Sequence, residues 1–206
     1  TRSSTVSWAR GGVEETALLG MGLAILKDLL DSTLKSPDDV MEYLNAPMLG
    51  VLPNIGLRKD RTGPCLGYIE DNKSGFAEAI RNIRTGLVLS GLEKPHKITV
   101  VTSTNPSEGK SSVAINLAAA LATMETVLLI DADLRRPSVA TAFSLQSGTP
   151  GLSNLLAETH KIEDCVQNLE AGFDVLPAGL LPPNPPEMLS TLHFRKLLKL
   201  LGEKYG

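Results

Sequence analysis

What most constrains this chain is an apolar, β-branched run that gives way to a polar loop and then resumes at helical spacing. Ile98, Val100 and Val101 make the run, Thr102 to Glu108 the loop, and from Gly109 onward Val113, Leu117, Ala118 and Leu121 recur along one helix face. Strand, loop and helix in that order, closed by Gly109-Lys110-Ser111, read as the second half of a phosphate-binding P-loop. In such a loop, backbone N–H groups and a helix N-terminus surround phosphate oxygens. Lys110 then reaches the outer phosphates, and the Ser111 hydroxyl takes one position on magnesium, a cation that prefers hard oxygen ligands. The general pattern G-x-x-x-x-G-K-[ST] has a glycine where this chain has Thr104. The order of the elements, and an acidic motif one helix later, carry the assignment instead.

That second motif is Thr126 to Ile130 followed by Asp131-Ala132-Asp133-Leu134-Arg135-Arg136-Pro137. Its apolar half predicts a buried strand, with Asp131 and Asp133 at the C-terminal end, where ligands bind in open α/β sheets. Residues two apart on an extended chain point the same way, so both carboxylates face one metal-phosphate site. An acidic turn after a strand is the plainer alternative.

Composition sets the frame. A chain of 206 residues with 42% hydrophobic content suits one domain with appendages and a sizeable core. A net charge of −3 provides no basic field for nucleic acid. Cys65 and Cys165 stand alone, without metal-ligand spacing or a disulfide framework, which fits a reducing compartment. The first residue is Thr1, so the chain is expected to be a piece of something longer.

Thr102-Ser103 through Pro106, Glu108-Gly109-Lys110-Ser111 and Asp131-x-Asp133-x-Arg135 resemble the Walker A and Walker A′ motifs of bacterial tyrosine kinases. These are P-loop domains attached to the chain-length-determinant membrane proteins of exopolysaccharide and capsule export. The resemblance covers residues 30 to 206 well and 16 to 30 loosely. It implies an α/β P-loop NTPase fold of the MinD/Mrp-like kind, with a mostly parallel sheet flanked by helices. It also implies ATP and Mg2+ as cofactors. Thr104, Asn105, Pro106, Ser107, Glu108, Gly109, Lys110, Ser111, Ser112 and Arg135 become the nucleotide-binding set, and Ser111, Asp131 and Asp133 the metal set. Lys110, Asp131 and Asp133 become the catalytic residues, with the base left open between the two aspartates. The implied activity is an ATP-dependent protein-tyrosine autokinase regulating polysaccharide synthesis. Its place is the cytoplasmic face of the bacterial inner membrane, beside the polymerisation and export machinery.

The remaining chain divides into three expected parts. Residues 1–30 form an N-terminal segment in which Ala17 to Leu26 is uninterrupted and apolar. It is shorter than the ~20 residues a membrane span needs, and no signal-peptide cleavage site follows; the resemblance places the end of a transmembrane helix here. Residues 31–75 read as a connector, with a helix started by Ser36-Pro37-Asp38-Asp39, a short strand at 48–52 and a loop from Arg58 to Ser74. Residues 76–206 hold the P-loop domain. Its first helix, Phe76 to Ser90, carries Glu78, Arg81 and Arg84 along one face. On physical grounds that is a solvated charged stripe; by resemblance it is the Glu-x-x-Arg-x-x-Arg motif through which family subunits assemble into a ring.

Further on, Leu152 to Leu156 predicts a short helix, Ile162 to Leu169 a helix or strand, and Phe173 to Pro177 a strand. Pro182 to Pro186 reads as a stiff linker and Glu187 to Leu201 as a helix. Strands are therefore expected at 48–52, 97–102, 126–131 and 173–177. The apolar strand ending in Asp-x-x-Pro that forms the family's Walker B motif is not found before Tyr205-Gly206, nor is its tyrosine-rich tail. Two other readings stay open. One is a MinD/ParA-like positioning ATPase, whose second lysine is here Asn105; the other is a non-catalytic nucleotide-binding scaffold of a polysaccharide co-polymerase.

Overall fold

The computed structural model describes residues 16–27, 30, 45–55, 64–92 and 97–205. The chain divides into two compact units, Thr1–Met48 and Leu49–Gly206. In the first, residues 16–27 form helix α1, and its Leu18, Leu19, Met21 and Leu23 are exposed. Among the described residues no helix is long and apolar enough to cross a membrane. The helix expected from Ser36 lies outside the described residues.

The second unit is built on helices α2 (Gly67–Glu70), α3 (Gly75–Ser90) and α4 (Lys110–Leu121), followed by strand β1 (Leu128–Ile130). Short helices α5 (Val139–Ala142), α6 (Leu152–Leu156) and α7 (Ile162–Cys165) come next. Strands β2 (Gln167–Asn168) and β3 (Asp174–Leu176) then precede α8 (Pro185–Ser190) and α9 (Leu192–Lys204). The sheet order is β1-β3-β2, with β1 parallel and β2 antiparallel to β3. Backbone bonds from Asp174 N–H to Val127 O and from Asp131 N–H to Leu176 O carry the parallel ladder one residue past each end of β1.

Alternation along the strands sorts the core into two layers. Leu129 and Val175 meet Ile115, Ala118 and Ala119 of α4 on one face. Leu176, with Leu128 and Ile130 beside it, meets Leu134, Leu152, Leu155 and Leu201 on the other. Phe76 and Ile80 of α3 pack on Ala120, so α3 lies outside α4. The Ser74 hydroxyl caps α3 by accepting from Ala77 N–H at 3.2 Å, a role the sequence reading had not assigned.

Two expected strands are corrected. Residues 48–52 join no ladder; Leu49 and Gly50 run against α3 instead, so close that a Cβ on Gly50 would strike Ile83 Cγ1 at 2.8 Å. Residues 97–102 are likewise unpaired, with Ile98 52% and Val100 80% exposed. A groove of about 460 Å³, lined in part by Thr99, Val101, Leu117, Leu128 and Tyr205, lies between this segment and β1. An extended segment registers as a strand only when a neighbour takes its backbone bonds. The sheet among the described residues is therefore small and mixed, not mostly parallel. The expected single helix over 187–201 breaks at Thr191, whose extended backbone (ψ 154°) and hydroxyl, accepting from Phe194 N–H, start α9 afresh.

Candidate functional site

The loop ahead of α4 turns into the helix through left-handed backbone at two points. Ser107 has φ 65° and Gly109, the residue before the helix, φ 91°. Glycine adopts that conformation without penalty, and it aims the free N–H groups of the first helical turn out of the loop. Asn105 and Glu108 close the loop on itself, because Asn105 donates from its backbone N–H and its Nδ2 to the two Glu108 carboxylate oxygens, each at 3.0 Å. Those bonds hold the Glu108 carboxyl below the ordinary carboxylate range. Ser103 Oγ donates to Asn105 O at 2.9 Å. Thr104, Pro106 and Ser107 are exposed on this loop.

The acidic motif meets the loop at the end of β1. Lys110 Nζ lies 2.9 Å from Asp133 Oδ2, with the two side chains 31% and 25% exposed. Partial burial acts to raise the Asp133 carboxyl, but the Lys110 hydrogen bond and charge, with N–H donors from Arg136 and Arg135, outweigh it and hold the group low. Arg135 itself is exposed.

Asp131 does something different. It is 5% exposed, and its oxygens accept from three backbone N–H groups: Asp133 to Oδ1, Ser138 and Val139 to Oδ2. Burial pushes its carboxyl up against those donors. The carboxylate thereby fixes the turn from β1 into α5.

Ser138, singled out by no sequence motif, joins the two halves. Its Oγ–H donates to Ser111 Oγ at 2.8 Å while its N–H holds Asp131. The Ser112 hydroxyl accepts from Cys65 N–H at 2.8 Å. Asn116, fully buried one turn later, donates to Cys65 O and accepts from Tyr68 N–H, pinning residues 65–68 to α4. A lone amide inside the apolar run Val113 to Ala120 is the signal that would have found it.

The charged stripe of α3 is engaged within the chain. Arg81 Nη1 donates to Asn72 O at 2.7 Å and its guanidinium lies over the Tyr68 ring. Arg84 Nη1 donates to Ala120 O and Thr123 Oγ1, each at 3.0 Å, closing the C-terminal end of α4. Glu78 is exposed.

The donor set suits magnesium held with a nucleotide. Hard oxygens from a hydroxyl and carboxylates sit beside a helix N-terminus and a lysine, and no group of three or more His, Cys, Asp or Glu able to cage a metal occurs among the described residues. Magnesium bound through phosphates and waters needs only one or two protein oxygens.

No family model matches the chain. Over 127 residues it is 43% identical to the tyrosine-protein kinase YwqD of Bacillus subtilis (strain 168), an alignment covering 61% of this chain. The chain spans about half the length of that curated relative, 53%. The solved kinase domain of the Escherichia coli tyrosine kinase ETK matches with a TM-score of 0.74 at 30% identity, covering 84% of this chain and 71% of that one. The BceF tyrosine kinase domain matches with a TM-score of 0.73 at 30% identity, covering 84% and 73%.

Proposed function

The chain belongs to the bacterial tyrosine-kinase family, and from that premise we propose that it binds ATP with magnesium and serves transfer of the γ-phosphoryl group to tyrosine. The observation that carries this reading is the meeting of two sequence-distant motifs at one helix N-terminus, with Lys110 2.9 Å from Asp133. Phosphoryl transfer asks chiefly for positioning and charge neutralisation. Lys110 and the first N–H groups of α4 provide positive charge for the phosphates. Ser111 is the protein's hydroxyl for the metal, Asp133 the accessible carboxylate for metal or for the tyrosine proton. Asp131, enclosed by N–H donors, acts by holding the turn and reaches a metal through water. Magnesium, when bound, supplies charge neutralisation between phosphate oxygens.

The same family premise extends to the wider setting. Subunits assemble into a ring through the α3 face bearing Glu78, Arg81 and Arg84. The polysaccharide polymerisation and export machinery is the partner, at the cytoplasmic face of the inner membrane. The intrachain bonds of Arg81 and Arg84 leave Glu78 as the exposed member of that motif.

The test is calorimetric titration of the chain with ATP, with and without magnesium, beside Lys110→Ala, followed by transfer to a glutamate–tyrosine copolymer. Magnesium-dependent binding that disappears in Lys110→Ala is expected; equal binding by both proteins refutes the site. A second reading, a nucleotide-binding scaffold, draws on the unpaired segment 97–102 that leads into the loop. Binding without transfer would select it.

A further inference from the structure

We propose that Ser138 is a positioning residue for the metal-binding hydroxyl of Ser111, an inference that rests on the nucleotide–magnesium reading above. The argument is one of geometry. The Ser138 and Ser111 hydroxyl oxygens lie 2.8 Å apart, so the hydrogen bond between them fixes the Ser111 hydroxyl about its Cα–Cβ bond and leaves its oxygen a lone pair. That lone pair is the one a hard cation uses.

Ser138 is itself immobilised by the opposite end of the same residue. Its backbone N–H, with that of Val139, is held by Asp131 Oδ2 at 3.1 and 3.0 Å. Asp131 is buried at the end of β1, so the chain β1, Asp131, Ser138, Ser111 transmits the position of the sheet to a hydroxyl on α4. The N-terminal serine of α5 has no capping bond from its own side chain, the usual employment of a serine in that place. Its hydroxyl is spent across the site instead.

Because Asp131 holds Ser138 through the backbone, Ser138→Ala deletes the bond to Ser111 and leaves the Asp131 bonds in place. Ser138→Thr restores a hydroxyl, and Ser138→Val is the hydroxyl-free control of threonine's shape. The readout is Mn2+ affinity of the ADP-bound 206-residue chain by electron paramagnetic resonance, with metal-free ADP affinity measured in parallel. Loss of one hydrogen bond that preorganises a ligand predicts a Mn2+ affinity weakened about three- to tenfold in Ser138→Ala and Ser138→Val. Recovery is expected in Ser138→Thr, with metal-free ADP affinity unchanged in all three.

In a Ser111→Ala background the Ser138→Ala change should add nothing, since it acts through Ser111. Unchanged Mn2+ affinity in Ser138→Ala, a parallel fall in metal-free ADP affinity, or full additivity with Ser111→Ala would each overturn the assignment. Failure of the unsubstituted chain to bind ADP at all would instead overturn the nucleotide reading beneath it, and this inference with it.

Discussion

Asn116→Ala should be among the most damaging single substitutions in the second unit, and its cost follows from three bonds. Asn116 Nδ2 donates to Cys65 O and Ser112 O, each at 2.6 Å, and Oδ1 accepts from Tyr68 N–H at 2.8 Å, all from a fully buried side chain. Alanine removes the amide and leaves the Cys65 carbonyl and Tyr68 N–H without it. A buried polar group left unpaired costs ~1–3 kcal/mol, so the two together cost about 2–6 kcal/mol. Alanine's better helix propensity returns roughly 0.5 kcal/mol. With a urea dependence of ~2 kcal/mol per molar, the unfolding midpoint should fall by about 0.8–2.8 M, followed by far-UV circular dichroism. Asn116→Asp sharpens the test. The introduced carboxyl keeps an acceptor for Tyr68 N–H but sets an oxygen against two carbonyls, so its folded-state pKa is raised above the unfolded ~3.9. Such a group's stability is fullest below the unfolded pKa and is lost as pH rises through the folded one. The Asn116→Asp deficit should therefore widen from pH 4 to pH 7. A midpoint shift under about 0.3 M for Asn116→Ala, or an Asn116→Asp deficit flat with pH, would show that these bonds do not hold residues 65–68 to α4.

Three further outcomes are expected. Gly109→Ala, at φ 91° with nothing within 4 Å of the added Cβ, should cost ~1–2 kcal/mol in thermal unfolding through backbone strain alone, and an unchanged melting temperature would contradict the left-handed turn. Arg84→Ala should lower stability by about 1–2 kcal/mol and speed amide exchange at the C-terminal turn of α4, since it removes the donor to Ala120 O and Thr123 Oγ1; exchange that stays slow there would rule out the cap. The Asp133 carboxyl is held low, so the stability it contributes is present above its unfolded pKa and lost as pH falls through the folded one; Asp133→Asn should flatten that acid limb of the stability–pH curve, and an unaltered limb would place the ion pair elsewhere.

Legibility in the sequence followed the locality of the signal. Leu152 to Leu156, Gly75 to Ser90 and the strands at 128–130 and 174–176 were readable because apolar period and turn residues lie within a few positions of one another. The P-loop and the acidic pair were readable for the same reason, and the structure brings Lys110 and Asp133 together. Segments 48–52 and 97–102 misled because β-branched composition records a preference for extended backbone and says nothing of a neighbouring strand. Ser138, the Ser112–Cys65 bond and Asn116 escaped because the partners lie 27, 47 and up to 51 residues apart. A serine or asparagine looks the same in sequence whether it meets water or a distant carbonyl.

The Lys110–Asp133 pair makes phosphate binding an exchange. Each member already has a counter-charge at 2.9 Å, so the site presents little net field to an approaching anion, and arrival should depend weakly on ionic strength. A phosphate that takes Lys110 leaves Asp133 without its cation, and the carboxyl then rises from its depressed value toward the ordinary range. Until a magnesium ion replaces that cation, occupancy of the phosphate site and basicity of Asp133 move together.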